Sequence, residues 1–118
     1  IMLRQKSGRI INFSTIASPL NLAGEAVYAA SKAAVESFSR TLSEEINKYN
    51  ITVNVLGPSP AKTDLTSGVP NDKLDKLIQK LNVKRFCNYD DIINVVDFFI
   101  DEKSSMVTGQ TIYLGGVS

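Results

Sequence analysis

The chain has 118 residues, enough for one domain, with 43% hydrophobic residues, 21% charged residues and a net charge of +1. Its Lys and Arg residues are scattered, which argues against nucleic acid and against an acidic membrane surface as partners. It has no histidine and one cysteine, Cys87, so no internal disulfide is possible, no metal site is expected, and a reducing, cytoplasmic setting is expected. No apolar run approaches a membrane span, and Arg4, Lys6 and Arg9 break up any signal-peptide core. The opening Ile1 in place of Met reads as a hint that something precedes it.

Residues 1–5 read as the end of a helix, terminated at Lys6-Ser7-Gly8 with Gly8 as its cap. Arg9 to Phe13 is a short apolar run rich in β-branched residues and reads as a buried strand. Ser14-Thr15 close it, and Ala17 to Gly24 read as a loop broken by Pro19 and Gly24. Glu25 to Tyr49 reads as one long helix. Its apolar stripe of Val27, Val35, Phe38, Leu42, Ile46 and Tyr49 should face the core. Nearly opposite lie Ala26, Ala30, Ala33 and Ser37. Small residues there suit close approach of another helix, a homo-oligomer contact, although alanine is also simply the best helix former.

Asn50 ends the helix. Ile51 to Leu56 reads as a second strand, alternating apolar and polar at its start, and Gly57-Pro58-Ser59-Pro60 stop it with a stiff loop. Asp72 to Leu81 reads as a short amphipathic helix, either a movable lid over a site or an ordinary packed helix. Asn88 is a candidate N-cap, with Asp90 and Asp91 at the positive end of a helix running to Ile100. That helix is apolar at Ile92, Val95, Val96, Phe99 and Ile100. Thr111 to Leu114 is a last strand before Gly115-Gly116.

Strands separated by helices predict an α/β fold with a doubly wound parallel sheet and right-handed crossovers. Ligands of such sheets bind at the C-terminal ends of the strands. Ser14-Thr15 and the run from Pro58 to Thr63 stand at two such ends, and the helix between the strands carries Tyr28 and Lys32. Four residues separate that tyrosine from that lysine, so both lie on one helical face. A phenol has a pKa of about 10, and a fixed ammonium nearby stabilises its phenolate. A tyrosine so placed can exchange a proton with a carbonyl or alcohol oxygen near neutral pH. The same pair occurs on ordinary surface helices with a half-buried ring, so its weight comes from its surroundings.

With these pieces in order, the chain resembles the C-terminal half of a short-chain dehydrogenase/reductase, closest in flavour to 3-oxoacyl-acyl-carrier-protein reductases and sugar-alcohol dehydrogenases. The matching pieces are Gly8 to Thr15, Tyr28-x-x-x-Lys32, Ile51 to Val55, Pro58 with Thr63, Arg85, and Val107 to Thr111 before Gly115-Gly116. They cover nearly the whole chain and are specific as a set. The resemblance implies a Rossmann-like sheet, NAD or NADP as cofactor, and interconversion of a small-molecule carbonyl and a secondary alcohol. It implies Tyr28 as general acid/base and Lys32 as its partner, which also holds the nicotinamide ribose. Thr15 stands where the family usually has serine, and would hold the substrate oxygen, with Ser14 the second choice. Threonine keeps the hydroxyl but its β-branch restricts the rotamer. Pro58, Ala61 and Thr63 would line the nicotinamide pocket. The family's glycine after that proline is Ser59 here, whose bulk would crowd the cofactor. Asn12 reads as structural.

The family's glycine-rich phosphate loop is not among these residues, and Gly115-Gly116 open no helix. Residues 1–118 therefore read as a single partial domain whose dinucleotide-binding half lies elsewhere. Alone, they are expected neither to catalyse nor to bind the dinucleotide tightly, and their sheet should have a raw edge. The competing reading is a non-catalytic remnant that serves as an association module.

Overall fold

The computed structural model describes residues 1–61 and 68–117. Three parallel strands form one sheet in the order β1-β2-β3: β1 is Gly8–Phe13, β2 is Ile51–Gly57 and β3 is Thr111–Tyr113. β1 pairs with β2 from Gly8 opposite Ile51 to Phe13 opposite Leu56. β3 pairs with the far end of β2, Val55 opposite Thr111 and Gly57 opposite Tyr113. The helices are α1 (Met2–Gln5), α2 (Ala17–Leu20), α3 (Ala26–Ile46), α4 (Asn71–Gln79) and α5 (Tyr89–Ile100). The predicted α/β class and parallel sheet are what the chain forms.

β2 is central, and all seven of its residues are buried. Its early alternation marks no solvent face, because Thr52 and Asn54 are as inaccessible as Val53 and Val55. Asn54 is held on both sides of its amide: its Nδ2 donates to Val107 O at 2.9 Å, and its Oδ1 accepts from Gln110 N at 3.1 Å. These bonds satisfy a buried polar side chain and fix the entry into β3. β1, expected to be buried, is half-buried, and among the described residues it pairs with β2 alone. It is an edge strand here, which is why its apolar side chains are not fully covered.

Successive residues of a strand point to opposite faces. Ile11 packs into a cluster with Leu56, Val95 and Phe99, whereas Asn12 donates from Nδ2 to Ser39 Oγ of α3 at 2.9 Å. Helices α5 and α3 therefore cover opposite faces of the sheet, as a doubly wound fold requires. The Asn88 cap is complete: its side chain accepts from Asp91 N, and Asp91 accepts from Asn88 N, each at 2.9 Å. The apolar face of α5 is inward at Val95 and Phe99, while Ile100 is about half exposed.

Three further expectations change. The left-handed cap after α1 is Lys6 (φ 54°), not Gly8. Gly8 begins β1, and a Cβ there would lie 2.4 Å from Met2 Sδ, so the glycine makes room for α1 to fold back on the strand. Part of the expected loop after Thr15 is the single turn of α2. The largest change concerns α3. Val27 is 85% exposed and Phe38 60% exposed, while the buried residues are Glu36, Ser39 and Ser43. Val35, Leu42, Ile46 and Tyr49 are only half-buried. With Lys32, the inward residues follow spacings of four, three and four, the same helical period as an apolar stripe but polar. Each has a partner on the sheet side or the local backbone, and short side chains let the helix approach closely. Ser43 shows how close: a Cβ on Gly109 would lie 2.8 Å from its Oγ.

Candidate active site

The site is assembled where β1 and β2 end. Ser14 N donates to Leu56 O at 2.9 Å, which carries the ladder one residue past β1. Ile16 N donates to Pro58 O at 3.4 Å, so the segments leaving the two strands are joined. Thr15 stands between these bonds. Its Oγ1 accepts from Ala17 N at 3.3 Å in the turn that opens α2. One lone pair is thereby used, and the hydroxyl proton stays available for donation outward. Ser14 is buried, and its Oγ has no hydrogen-bond partner within the described residues.

Lys32 brings α3 to this place. Its Nζ donates to Phe13 O, the last carbonyl of β1, at 3.3 Å. The same Nζ lies 6.0 Å from the centre of the Tyr28 ring. Tyr28 is 48% exposed, in the first turn of α3. Lys32 is thus tied to the carbonyl two residues before Thr15, with the Tyr28 ring next to it on the helix. An ammonium has three donors, and the bond to Phe13 O uses one.

Pro58 is half-buried beside Ile16. Ala61 lies further along, in an isolated bridge to Cys87, whose N donates to Pro60 O at 2.9 Å. Thr63 lies outside the described residues. Ser59, expected to crowd a cofactor, is buried and turned inward: its Cβ is 3.5 Å from the position a Cβ would take on Gly115, and its side chain hydrogen-bonds Cys87. Burial first, and the charge of Asp91 second, push the Cys87 thiol up, so it is an unreactive core group. Gly57, the last residue of β2, is where the Tyr113 ring crosses the strand end. A Cβ there would be 2.5 Å from Tyr113 Cδ1 and 3.6 Å from the Thr15 carbonyl carbon.

Helix α4 is docked beside the site. Leu74 and Ile78 are buried, and Ile78 and Leu81 pack on Ile16, with Leu20 and Tyr113 around them. Lys73 Nζ reaches Glu25 Oε1, just before α3, at 3.5 Å. A separate groove of about 360 Å³, lined in part by Arg85, Cys87, Asp91, Asn94 and Leu114, contains none of the candidate residues. Sequence reasoning missed Glu36, Ser18 and Tyr113, which meet behind the site. The available signal was a glutamate one turn beyond Lys32, on the helical face that the motif itself defines.

By class, the chain is a parallel α/β sheet with a Tyr-Lys helix set at its strand ends. The family model described as enoyl-(acyl carrier protein) reductase matches residues 1–117. A 3-oxoacyl-acyl-carrier-protein reductase FabG of Staphylococcus epidermidis is 37% identical over 115 residues, covering 98% of this chain and 47% of the relative. The Staphylococcus aureus protein of the same name is 34% identical over 115 residues, with the same coverage. An L-xylulose reductase of Caenorhabditis elegans is 37% identical over 117 residues, covering 96% of this chain and 46% of the relative. The chain belongs to the short-chain dehydrogenase/reductase family, and it spans about half the length of the curated relatives it matches. Among the described residues, no helix is long and apolar enough to cross a membrane.

Proposed function

We propose that this chain forms the C-terminal, catalytic part of an NAD(P)-dependent oxidoreductase that interconverts a small-molecule ketone and a secondary alcohol. The observation that carries this reading is the bond from Lys32 Nζ to Phe13 O, which holds the Tyr28 helix against the strand end that bears Thr15. The names of the relatives, all reductases, point to the same reaction class. The donor set fits a nicotinamide dinucleotide at its ribose end: Lys32 keeps two N–H donors for ribose hydroxyls, and Pro58 and Ala61 stand on the neighbouring loop. Thr63, proposed for the same pocket, lies outside the described residues. When bound, that cofactor supplies the hydride.

The chain's own residues handle the oxygen. Tyr28 donates its phenolic proton to the carbonyl oxygen as charge builds there, and in the reverse direction accepts the proton of the alcohol. Thr15 donates its free hydroxyl proton to the same oxygen and fixes its position. Lys32 holds a positive charge beside the phenol. The pyrophosphate cradle and the rest of the sheet come, on this reading, from a segment that pairs along the open side of β1, making residues 1–118 one part of a Rossmann-like domain. The outward face of α3, with Val27, Ala30 and Phe38 exposed, is where a second copy packs.

Tyr28→Phe in the complete polypeptide tests the assignment. Turnover of a ketone with NADH or NADPH should fall by about a hundredfold or more, while dinucleotide affinity stays within about twofold. Turnover at the wild-type rate would remove Tyr28 from the mechanism.

A further inference from the structure

Glu36 is a buried carboxylate that the reaction itself does not use. It lies one helical turn beyond Lys32 and is only 5% exposed. Two hydroxyls from distant parts of the chain donate to it. Ser18 Oγ of α2 donates to Oε2 at 2.9 Å, and the Tyr113 hydroxyl of β3 donates to Oε1. A buried carboxylate is costly unless its oxygens are hydrogen-bonded, and here both are. The Tyr113 ring in turn occupies the space above Gly57, next to the Thr15 backbone. Ser18 N donates back to Thr15 O at 3.3 Å. The three elements that surround Thr15 thus converge on one side chain.

We propose that Glu36 is a positioning residue. Its carboxylate clamps α2 and the end of β3 to α3, and so holds the Thr15 hydroxyl in register with Tyr28 and Lys32. The catalytic meaning of this clamp rests on the reductase reading above, whereas the clamp itself does not. The spacing gives the reason for the site of the clamp. Lys32 ties α3 to β1 before Thr15, and Glu36 ties the same helix to the turn after it. Thr15 is held from both sides by residues four apart on one helix.

Hydrogen–deuterium exchange on the full polypeptide, read by segment, tests the clamp without relying on activity. The variants are Glu36→Ala, Glu36→Gln and Tyr113→Phe. Glu36→Ala and Tyr113→Phe should speed exchange in residues 14–20 by about tenfold or more and leave residues 51–57 at wild-type rates. Glu36→Gln keeps an acceptor oxygen and should fall between wild type and alanine. Tyr113→Phe retains the ring over Gly57, so the test stands if Glu36→Ala does not fold. Unchanged exchange in 14–20 overturns the proposal, and so does a uniform rise across all segments, which would mark a general structural prop. Ketone turnover, measured in parallel, should drop about tenfold in kcat with the KM for the dinucleotide unchanged. A wild-type kcat in Glu36→Ala overturns the positioning role. If the wild type itself does not turn over but exchange rises only in 14–20, the reductase reading falls and the clamp is supported.

Discussion

Asp91 joins two interactions at the start of α5. It caps Asn88 N, and it takes a two-pronged bond from Arg85, Nη1 at 2.7 Å and Nη2 at 2.9 Å. The Arg85 guanidinium, then the Asn88 amide, hold its carboxyl down from 3.8 to about 2. A carboxyl depressed on folding stabilises the native state above its unfolded pKa, and that contribution is lost as pH falls through the folded value. The pair should therefore act fully above about pH 4 and fade between pH 4 and 2. A thermal melt series over that range should show a shallower acid-side loss for Asp91→Asn than for wild type. Arg85 is more than half exposed, so added salt should reduce the difference. Residue chemistry of this kind was legible beforehand, since Asn88, Asp90 and Asp91 read as a cap from their order alone. Thr15 stands out only through the family resemblance, as the hydroxyl thirteen residues before Tyr28. Glu36 was not, because its importance comes from Ser18 and Tyr113, which are 18 and 77 residues away.

At the scale of elements, a sheet end is shaped by what crosses it. Gly57 leaves room for the Tyr113 ring, which packs with Ile16 and Ile78. Gly57→Ala would force that ring aside and strain a filled region, at a cost of about 1–3 kcal/mol. A urea denaturation series should show the midpoint drop. Full stability in Gly57→Ala would mean that the ring has somewhere else to go. Helix α3 carries the wider lesson. Its start near Glu25 and the break at Asn50 (φ 58°) were readable from residue types, but α3 itself ends at Ile46 and a 3-10 turn, Asn47–Tyr49, fills the rest of the expected helix. Its orientation was not. An apolar stripe predicts the buried face only when the surface it meets is apolar, and Asn12, Ser18 and Tyr113 present polar groups instead.

At the scale of the whole molecule, the exposed side of α3 and the unpaired side of β1 are two open surfaces among the described residues. Ala30 lies on the former, away from the sheet, where a charge should leave the fold of one copy nearly unchanged. If α3 is the homo-oligomer contact, Ala30→Glu should lower the sedimentation coefficient toward that of a single copy. An unmoved coefficient would dismiss α3 as an interface. By itself the order of residues determined the strand–helix alternation, the parallel sheet, the Asn88 cap of α5 and the Tyr28-Lys32 face, because each depends on local periodicity, on capping chemistry or on spacings within a few turns. Tertiary structure alone decided that α3 docks through Lys32, Glu36, Ser39 and Ser43, that Ser59 turns inward toward Cys87, and that Tyr113 closes behind Thr15. Those outcomes depend on which surfaces meet, and burial selects the face whose hydrogen bonds can all be satisfied.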